Sequence, residues 1–261
     1  MNSREYLDKL LSEGRCCFTT EQACKSMGAG INNTRARLRR LKEQRLIAEP
    51  VKSFHVIVMP EYRSQGCPPA EHFIDQLMNY QGNSNYYVCL LSAAEKYGAG
   101  HQRPQQFQVM IEKNRRDIHC DSVLIKYIAR GTLANVPVSS VNSPWGTVRY
   151  ATPEVTALEL LGYPGHSGGL NNAVTVILDL ADNLNPGKLV EAVALSPLSW
   201  SQRLGYILET FGEMKLAEEL FSHVRKTVST YIPLRRALPL KGSKRCSKWK
   251  LIVNSEVEPD V

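Results

Sequence analysis

Apolar residues recur at helical spacing near the start of the chain, where Leu7, Leu10 and Leu11 predict a first helix over residues 3–13. A second helix is expected over 20–27, with Thr20 as its cap. Gly28, Ala29 and Gly30 then supply the tight turn between the two halves of a helix-turn-helix. Leu38 and Leu41, three apart, give the next helix a single narrow apolar stripe on an otherwise polar rod. Two short apolar runs follow at 45–50 and 54–60, read as strands joined through Val51, Lys52 and Ser53, the shape of a wing.

Pro60, Pro68 and Pro69 interrupt any periodic pattern and place a domain boundary there, dividing the chain into 1–66, a winged helix-turn-helix, and 67–261, a larger domain. The larger part reads as a helix near 70–80, a turn at 82–85 and a helix over about 87–97. Strands are expected near 106–112, 122–129 and 147–150. Thr152 caps a helix with Pro153 at its first position, running through Leu161, and residues 171–230 are mostly helical, punctuated by Pro186 and Pro197. Helices and strands grouped in this way, without alternating βα units or an internal repeat, make the fold class α+β.

With 261 residues and 43% hydrophobic composition the chain can bury a core in each of two domains. Acids stand among the first residues where a signal peptide would be apolar, and the most apolar run, 173–184, contains Asp179 and Asp182. Neither export nor a membrane span is expected. Seven cysteines without a Cys-x-x-Cys pair point to a reducing cytoplasm, with no zinc site, disulfide framework or other cofactor.

The formal net charge of +7 is unevenly spread. Residues 1–66 carry twelve Lys/Arg against seven Asp/Glu, and residues 231–261 carry seven against three. The first excess is concentrated in NTRARLRRLKEQR at 33–45, six cations against one anion on one helix. With Leu38 inward and a turn of about 100° per residue, Ala36, Arg40 and Glu43 point outward, flanked by Asn33, Arg37 and Arg39. Such a helix suits a DNA groove: Asn33, Ala36, Arg37 and Arg40 are the candidates for base edges, since Arg matches guanine, Asn adenine and Ala the thymine methyl. Arg35, Arg39, Lys42, Arg45 and the wing residue Lys52 are the candidates for phosphate, with Thr34 included in the DNA-binding set. A solvated face or a protein-binding module could carry the same charge; the order of elements around the helix favours DNA.

Between residues 231 and 250 no acid interrupts Arg235, Arg236, Lys241, Lys244, Arg245, Lys248 and Lys250. This stretch reads either as a second polyanion-contacting surface or as a basic loop leading into a final strand over 249–254 whose edge its lysines keep soluble.

Four further stretches carry a resemblance. YYVCLLSAAEKYGAGHQRPQQFQV at 86–109, YATPEVTALELL at 150–161, QRLGYILE at 202–209 and KWKLIVN at 248–254 are similar in order and spacing to AbiEi-type antitoxins. These are the regulator half of type IV, abortive-infection toxin–antitoxin systems, so the larger domain resembles their C-terminal antitoxin domain. The resemblance implies a bacterial repressor of its own operon that binds double-stranded operator DNA, with inverted repeats as the expected target. It also implies opposition to a co-encoded AbiEii-like nucleotidyltransferase toxin, and leaves direct binding of that toxin open. No catalytic motif is carried over, and no enzyme is expected. The stretch 92–108 reads as a functional surface or as a buried helix–turn–strand junction, the second favoured by the apolar face of Leu90, Leu91, Ala93 and Ala94; His101 and Gln102, in the turn, are the polar residues to test first.

Several motifs imitate enzyme chemistry. Gly165-x-Ser167-x-Gly169 fits a nucleophile elbow, yet a helix and Pro164 precede it where a strand is required. His119, Cys120 and Asp121 are adjacent in an extended segment, so they face opposite sides and cannot converge on a metal. Glu112 and Lys113 lack the spaced acidic partner of a nuclease. A ligand-sensing repressor without a toxin and a nucleic-acid-modifying enzyme are the alternatives; a deep pocket would favour the first, a carboxylate cluster the second.

Overall fold

The computed structural model describes residues 1–100 and 104–259, and its fold is mixed α+β. First come α1 (Ser3–Ser12), β1 (Cys17–Thr19), α2 (Thr20–Met27), α3 (Ile31–Glu43), β2 (Ile47–Val51), β3 (Phe54–Ile57) and α4 (Ile74–Tyr80). The middle holds β4 (Tyr87–Val88), α5 (Leu90–Lys96), β5 (Phe107–Ile111), β6 (Ile118–Cys120), β7 (Val123–Ala129), β8 (Val138–Ser143) and β9 (Gly146–Ala151). Then follow α6 (Pro153–Gly162), α7 (Gly169–Leu180), α8 (Pro186–Ala194), α9 (Leu198–Thr210) and α10 (Met214–Val224). Three short strands end the chain: β10 (Ile232–Pro233), β11 (Lys244–Cys246) and β12 (Leu251–Val253). No helix among the described residues is long and apolar enough to cross a membrane.

Two compact units share the chain: 1–87, 105–133 and 140–149 form one, and 88–104, 134–139 and 150–261 the other. Segment 1–66 lies wholly in the first unit, together with later strands.

In the first unit α1 starts with a capping box, the Asn2 side chain accepting from the Glu5 backbone while the Glu5 carboxylate accepts from Asn2 N. The cap of α2 is Thr19, one residue earlier than the sequence reading placed it. Thr19 is extended and forms the box with Gln22, whereas Thr20 is already helical and buried, with its hydroxyl 2.9 Å from His55 Nε2. Gly28 closes α2 at φ 62°, a left-handed position that favours glycine. The sequence pattern gave no sign of β1, which is too short to show alternation; it pairs antiparallel with β3, and β3 with β2, in the order β1-β3-β2. Tyr6, Leu10, Phe18, Met27, Leu38 and Leu41 meet in the core against this sheet, with Tyr6 edge-on to Phe18 at 5.3 Å. Later in the same unit β7 runs between β5, parallel to it, and β6, antiparallel.

The second unit is built on α6, whose residues from Glu154 to Leu161 are all buried, which explains why that helix shows no polar stripe. It packs with α5, α7, α8 and α9. The chain reaches α5 through the short strand β4, where the sequence pattern suggested continuous helix; Leu90, the first helical residue, has φ 51°. Buried Glu154 accepts from Asn185 N at 3.0 Å. On α9 Gln202 and Arg203 turn inward and hold the end of the chain. Gln202 Nε2 donates to the carbonyls of Thr230, Trp249 and Lys250, and Arg203 to those of Pro233 and Leu234. Trp249 is fully buried against Gly205, where a Cβ would come within 2.1 Å of the indole. The last strands form a sheet in the order β10-β12-β11, so the final strand expected over 249–254 is realised as β12 between two partners.

Candidate nucleic-acid interface

Helix α3 is anchored by Thr34, Leu38 and Leu41, all buried, which leaves the opposite face to solvent. Asn33, Arg35, Ala36, Arg39, Arg40, Lys42, Arg45 and Lys52 are exposed, and Arg37 is half-buried. Thr34 departs from its sequence placement. Its side chain is fully buried and its hydroxyl donates to Ala29 O at 3.4 Å, because an apolar stripe two leucines wide needs a third inward position one turn earlier.

The cations differ in what they already hold. The side chains of Arg35 and Arg40 have no hydrogen-bond or ion-pair partner among the described residues. Arg37 Nε donates to Asn33 Oδ1 at 3.2 Å, one turn back, which orders both side chains on the outer face. Arg39 lies 3.6 Å from Glu43 with both side chains mostly in water, and Lys42 lies 3.7 Å from Glu49 on β2. Arg45 stays at the surface but is engaged: its Nη1 donates to the carbonyls of Arg63 and Ser64 at 3.2 and 3.0 Å, so it braces the chain beyond β3.

The β2–β3 hairpin turns through Lys52 and Ser53, with Ser53 at φ 66° and its N–H on Glu49 Oε1 at 3.0 Å. Tyr80 donates to Lys52 O at 3.1 Å. Between hairpin and α3 lies a cleft of about 350 Å³ in which Arg35, Arg39, Lys42 and Lys52 outnumber Glu49, with His55 also on its wall. Burial lowers the His55 pKa; Glu49 opposes that shift and Lys42 adds to it, so the ring is neutral at pH 7.

The C-terminal basic segment divides too. Arg235, Arg236, Lys241, Lys244 and Arg245 are exposed. Lys248 pairs with Glu209 at 2.8 Å, and the same carboxylate accepts from the Trp249 indole N–H. Burial alone would raise the Glu209 pKa, but the Lys248 and Trp249 bonds outweigh it and hold the carboxyl below its ordinary value. Arg245 and Lys250 both lie over the Tyr231 ring, at 5.4 and 5.3 Å.

The enzyme-like motifs have structural places. Ser167 is buried after a single 3-10 turn and donates to Tyr163 O at 3.0 Å, and α6 rather than a strand leads into it. On β6 His119 is exposed and Cys120 buried, on opposite faces. Glu112 accepts from Asn85 at 3.0 Å. His101 and Gln102 lie outside the described residues. Leu90, Ser92, Ala93 and Ala94 are buried in α5.

Comparison with known proteins addresses residues 86–210 most directly. No curated protein matches. Among solved structures, the Rv2827c protein from Mycobacterium tuberculosis is similar at TM-score 0.65 and 16% identity, covering 95% of this chain and 89% of that one. At that identity the likeness is one of fold alone, and it extends over nearly the whole chain. A model of the AbiEi antitoxin C-terminal domain family matches residues 86–210, from β4 to the end of α9. That span contains three of the four stretches that carried the sequence resemblance, and over it the chain is similar to the AbiEi antitoxin C-terminal domain.

Proposed function

We propose that the protein is an AbiEi-type antitoxin that represses its own operon by seating α3 in the major groove of operator DNA. Segment 1–66 then acts as a winged helix-turn-helix: α2 and α3 form the two halves of the motif, and the β2–β3 hairpin is a short wing carrying Lys52 toward the backbone. The observation that carries the reading is the contrast on α3 between buried Thr34, Leu38 and Leu41 and outward Arg35, Arg37 and Arg40, none of them paired with an acid among the described residues. A helix anchored on one side with unpaired guanidinium groups on the other can replace the counterions of phosphate and offer forked donors to guanine. Arg45, held by backbone carbonyls, contributes long-range field rather than a direct contact. The antitoxic half resides in the AbiEi domain and opposes a co-encoded nucleotidyltransferase-like toxin in the bacterial cytoplasm.

The test is fluorescence anisotropy on the DNA upstream of the gene and on a scrambled duplex, at one fixed salt concentration. Arg37→Ala or Arg40→Ala should cost roughly 1–3 kcal/mol on the upstream DNA and less on the scrambled duplex. Identical curves for both variants and the parent on both duplexes would remove α3 as the reading element.

A further inference from the structure

The second unit contains a cleft of about 330 Å³ that the DNA reading leaves unused. Leu161, Pro164, Leu170, Trp200 and Leu234 give it apolar walls, while Arg203, Arg235 and Arg236 also line it and no acid does. Trp200 is held flat against α6 because position 162 is glycine; a Cβ there would come within 2.3 Å of the indole.

Arg203 is the unusual member. It is 5% exposed, and its guanidinium donates to three backbone carbonyls, those of Ser199, Pro233 and Leu234, at 3.0–3.3 Å. None of these is a carboxylate. Burial pushes its pKa down to about 10 and neighbouring Arg236 pushes in the same direction, so the group stays charged at pH 7 with repulsion from its charged neighbour. A buried cation without a counter-ion is costly, and carbonyl dipoles offset part of that cost while leaving the charge in place. Arg235 and Arg236 are exposed at the same cleft, and their side chains have no acid partner among the described residues. Helix α7 also begins here at Gly169, with no side chain capping its first turn.

We propose that this cleft binds a small molecule carrying a phosphate group on an apolar or aromatic body, of about the size of a nucleoside monophosphate. Forked guanidinium donors match phosphate oxygens in pairs, which favours phosphate over a single carboxylate for three arginines around one site. The apolar walls and the Trp200 edge receive the body, and the volume falls within the range of small-ligand pockets. A duplex backbone is convex and follows open surface, so the enclosed part of the cleft suits a small ligand better than DNA. The proposal stands independently of the operator reading, because it uses no residue of α3.

The experiment is calorimetric titration of the full chain with adenosine and guanosine monophosphate, with adenosine, inorganic phosphate and benzoate as the other arms. One of the nucleotides should saturate one site with a Kd below about 1 mM, and adenosine and phosphate should each bind about tenfold more weakly or not at all. Arg236→Ala, at an exposed position, should weaken the nucleotide about tenfold while its melting temperature matches the parent's. Absence of saturation by either nucleotide would overturn the proposal, as would equal affinity for phosphate alone or an unchanged Kd in Arg236→Ala. Tighter binding of benzoate would overturn the phosphate assignment. Binding of a short duplex that Arg236→Ala abolishes, with no nucleotide binding, would assign the cleft's arginines to nucleic acid instead.

Discussion

Helix α3 and the segment 231–250 are both strongly basic, yet the fold uses their cations differently. On α3 three buried residues do the anchoring, and the Arg35 and Arg40 side chains are left without partners among the described residues. In 231–250 Lys248 is bonded to Glu209, Arg245 and Lys250 share the Tyr231 face, and the segment's peptide carbonyls are gripped by Gln202 and Arg203. Cations that already satisfy a carboxylate or a ring hold structure together, and those that do not are available to an external anion. Net charge along the sequence cannot separate these cases, because the separating facts are distances between residues far apart in the chain.

The largest expected effect tests the structural side. Trp249→Ala removes a fully buried indole against Gly205 and its bond to Glu209, and should lower the unfolding free energy by about 3–5 kcal/mol in a denaturant titration. A loss below about 1 kcal/mol would make the end of the chain an appended arm, and the contrast with α3 would fail.

Next comes a paired exchange between the two regions. Arg35→Ala should reduce the salt dependence of operator binding by about one phosphate contact while leaving stability nearly unchanged. Lys248→Ala should do the reverse, lowering stability with little change in the salt slope. If both variants alter the salt slope equally, the basic segment belongs to the DNA surface as fully as the helix does.

How much of this was legible beforehand follows the range of the interactions. The helices and their order came from local periodicity, and the basic face of α3 from Leu38 and Leu41 alone, as neighbours one turn apart carry that information. The places of Thr34 and Arg45 were not legible for one reason: Thr34 fills an inward slot and Arg45 reaches the carbonyls of Arg63 and Ser64, and both depend on tertiary neighbours. The strands β1, β6 and β11 are three residues each, too short for alternation to show. The arginine-lined cleft was invisible because Arg203 sits in a helix with an ordinary pattern and meets Arg235 and Arg236 only after folding; the sole advance sign was a resemblance stretch, QRLGYILE, with an arginine among apolar residues.

A smaller effect is expected at Glu209→Gln, about 1–2 kcal/mol, since the carboxylate is about a third exposed and water screens part of the Lys248 attraction. Its pKa is lowered on folding, so the contribution is present above the ordinary carboxylate value of about 4.3 and is lost as pH falls through and below it. The variant should therefore flatten the acid limb of the stability curve; an unchanged limb would remove the pair's role. His55 acts at higher pH with the same sign. Burial lowers its pKa below the unfolded value of about 6.5, so stability is full above that pH and declines as pH falls. His55→Gln should flatten that decline in part, because His72, also lowered by burial against Glu71 and Glu61, retains its share.

The smallest effect sharpens the comparison from the α3 side. Glu43 is the one acid of the helix, and its 3.6 Å approach to Arg39 is between side chains 65% and 77% exposed, a pair in which solvent screens nearly all of the attraction. Glu43→Gln should leave the unfolding midpoint almost where it was, yet tighten DNA binding slightly, because an anion on the outer face repels phosphate whichever residue it pairs with. That gain should shrink as salt is raised. A variant that loses stability and gains no affinity would mean that the Arg39–Glu43 pair braces the helix, and α3 would then resemble the C-terminal segment rather than contrast with it.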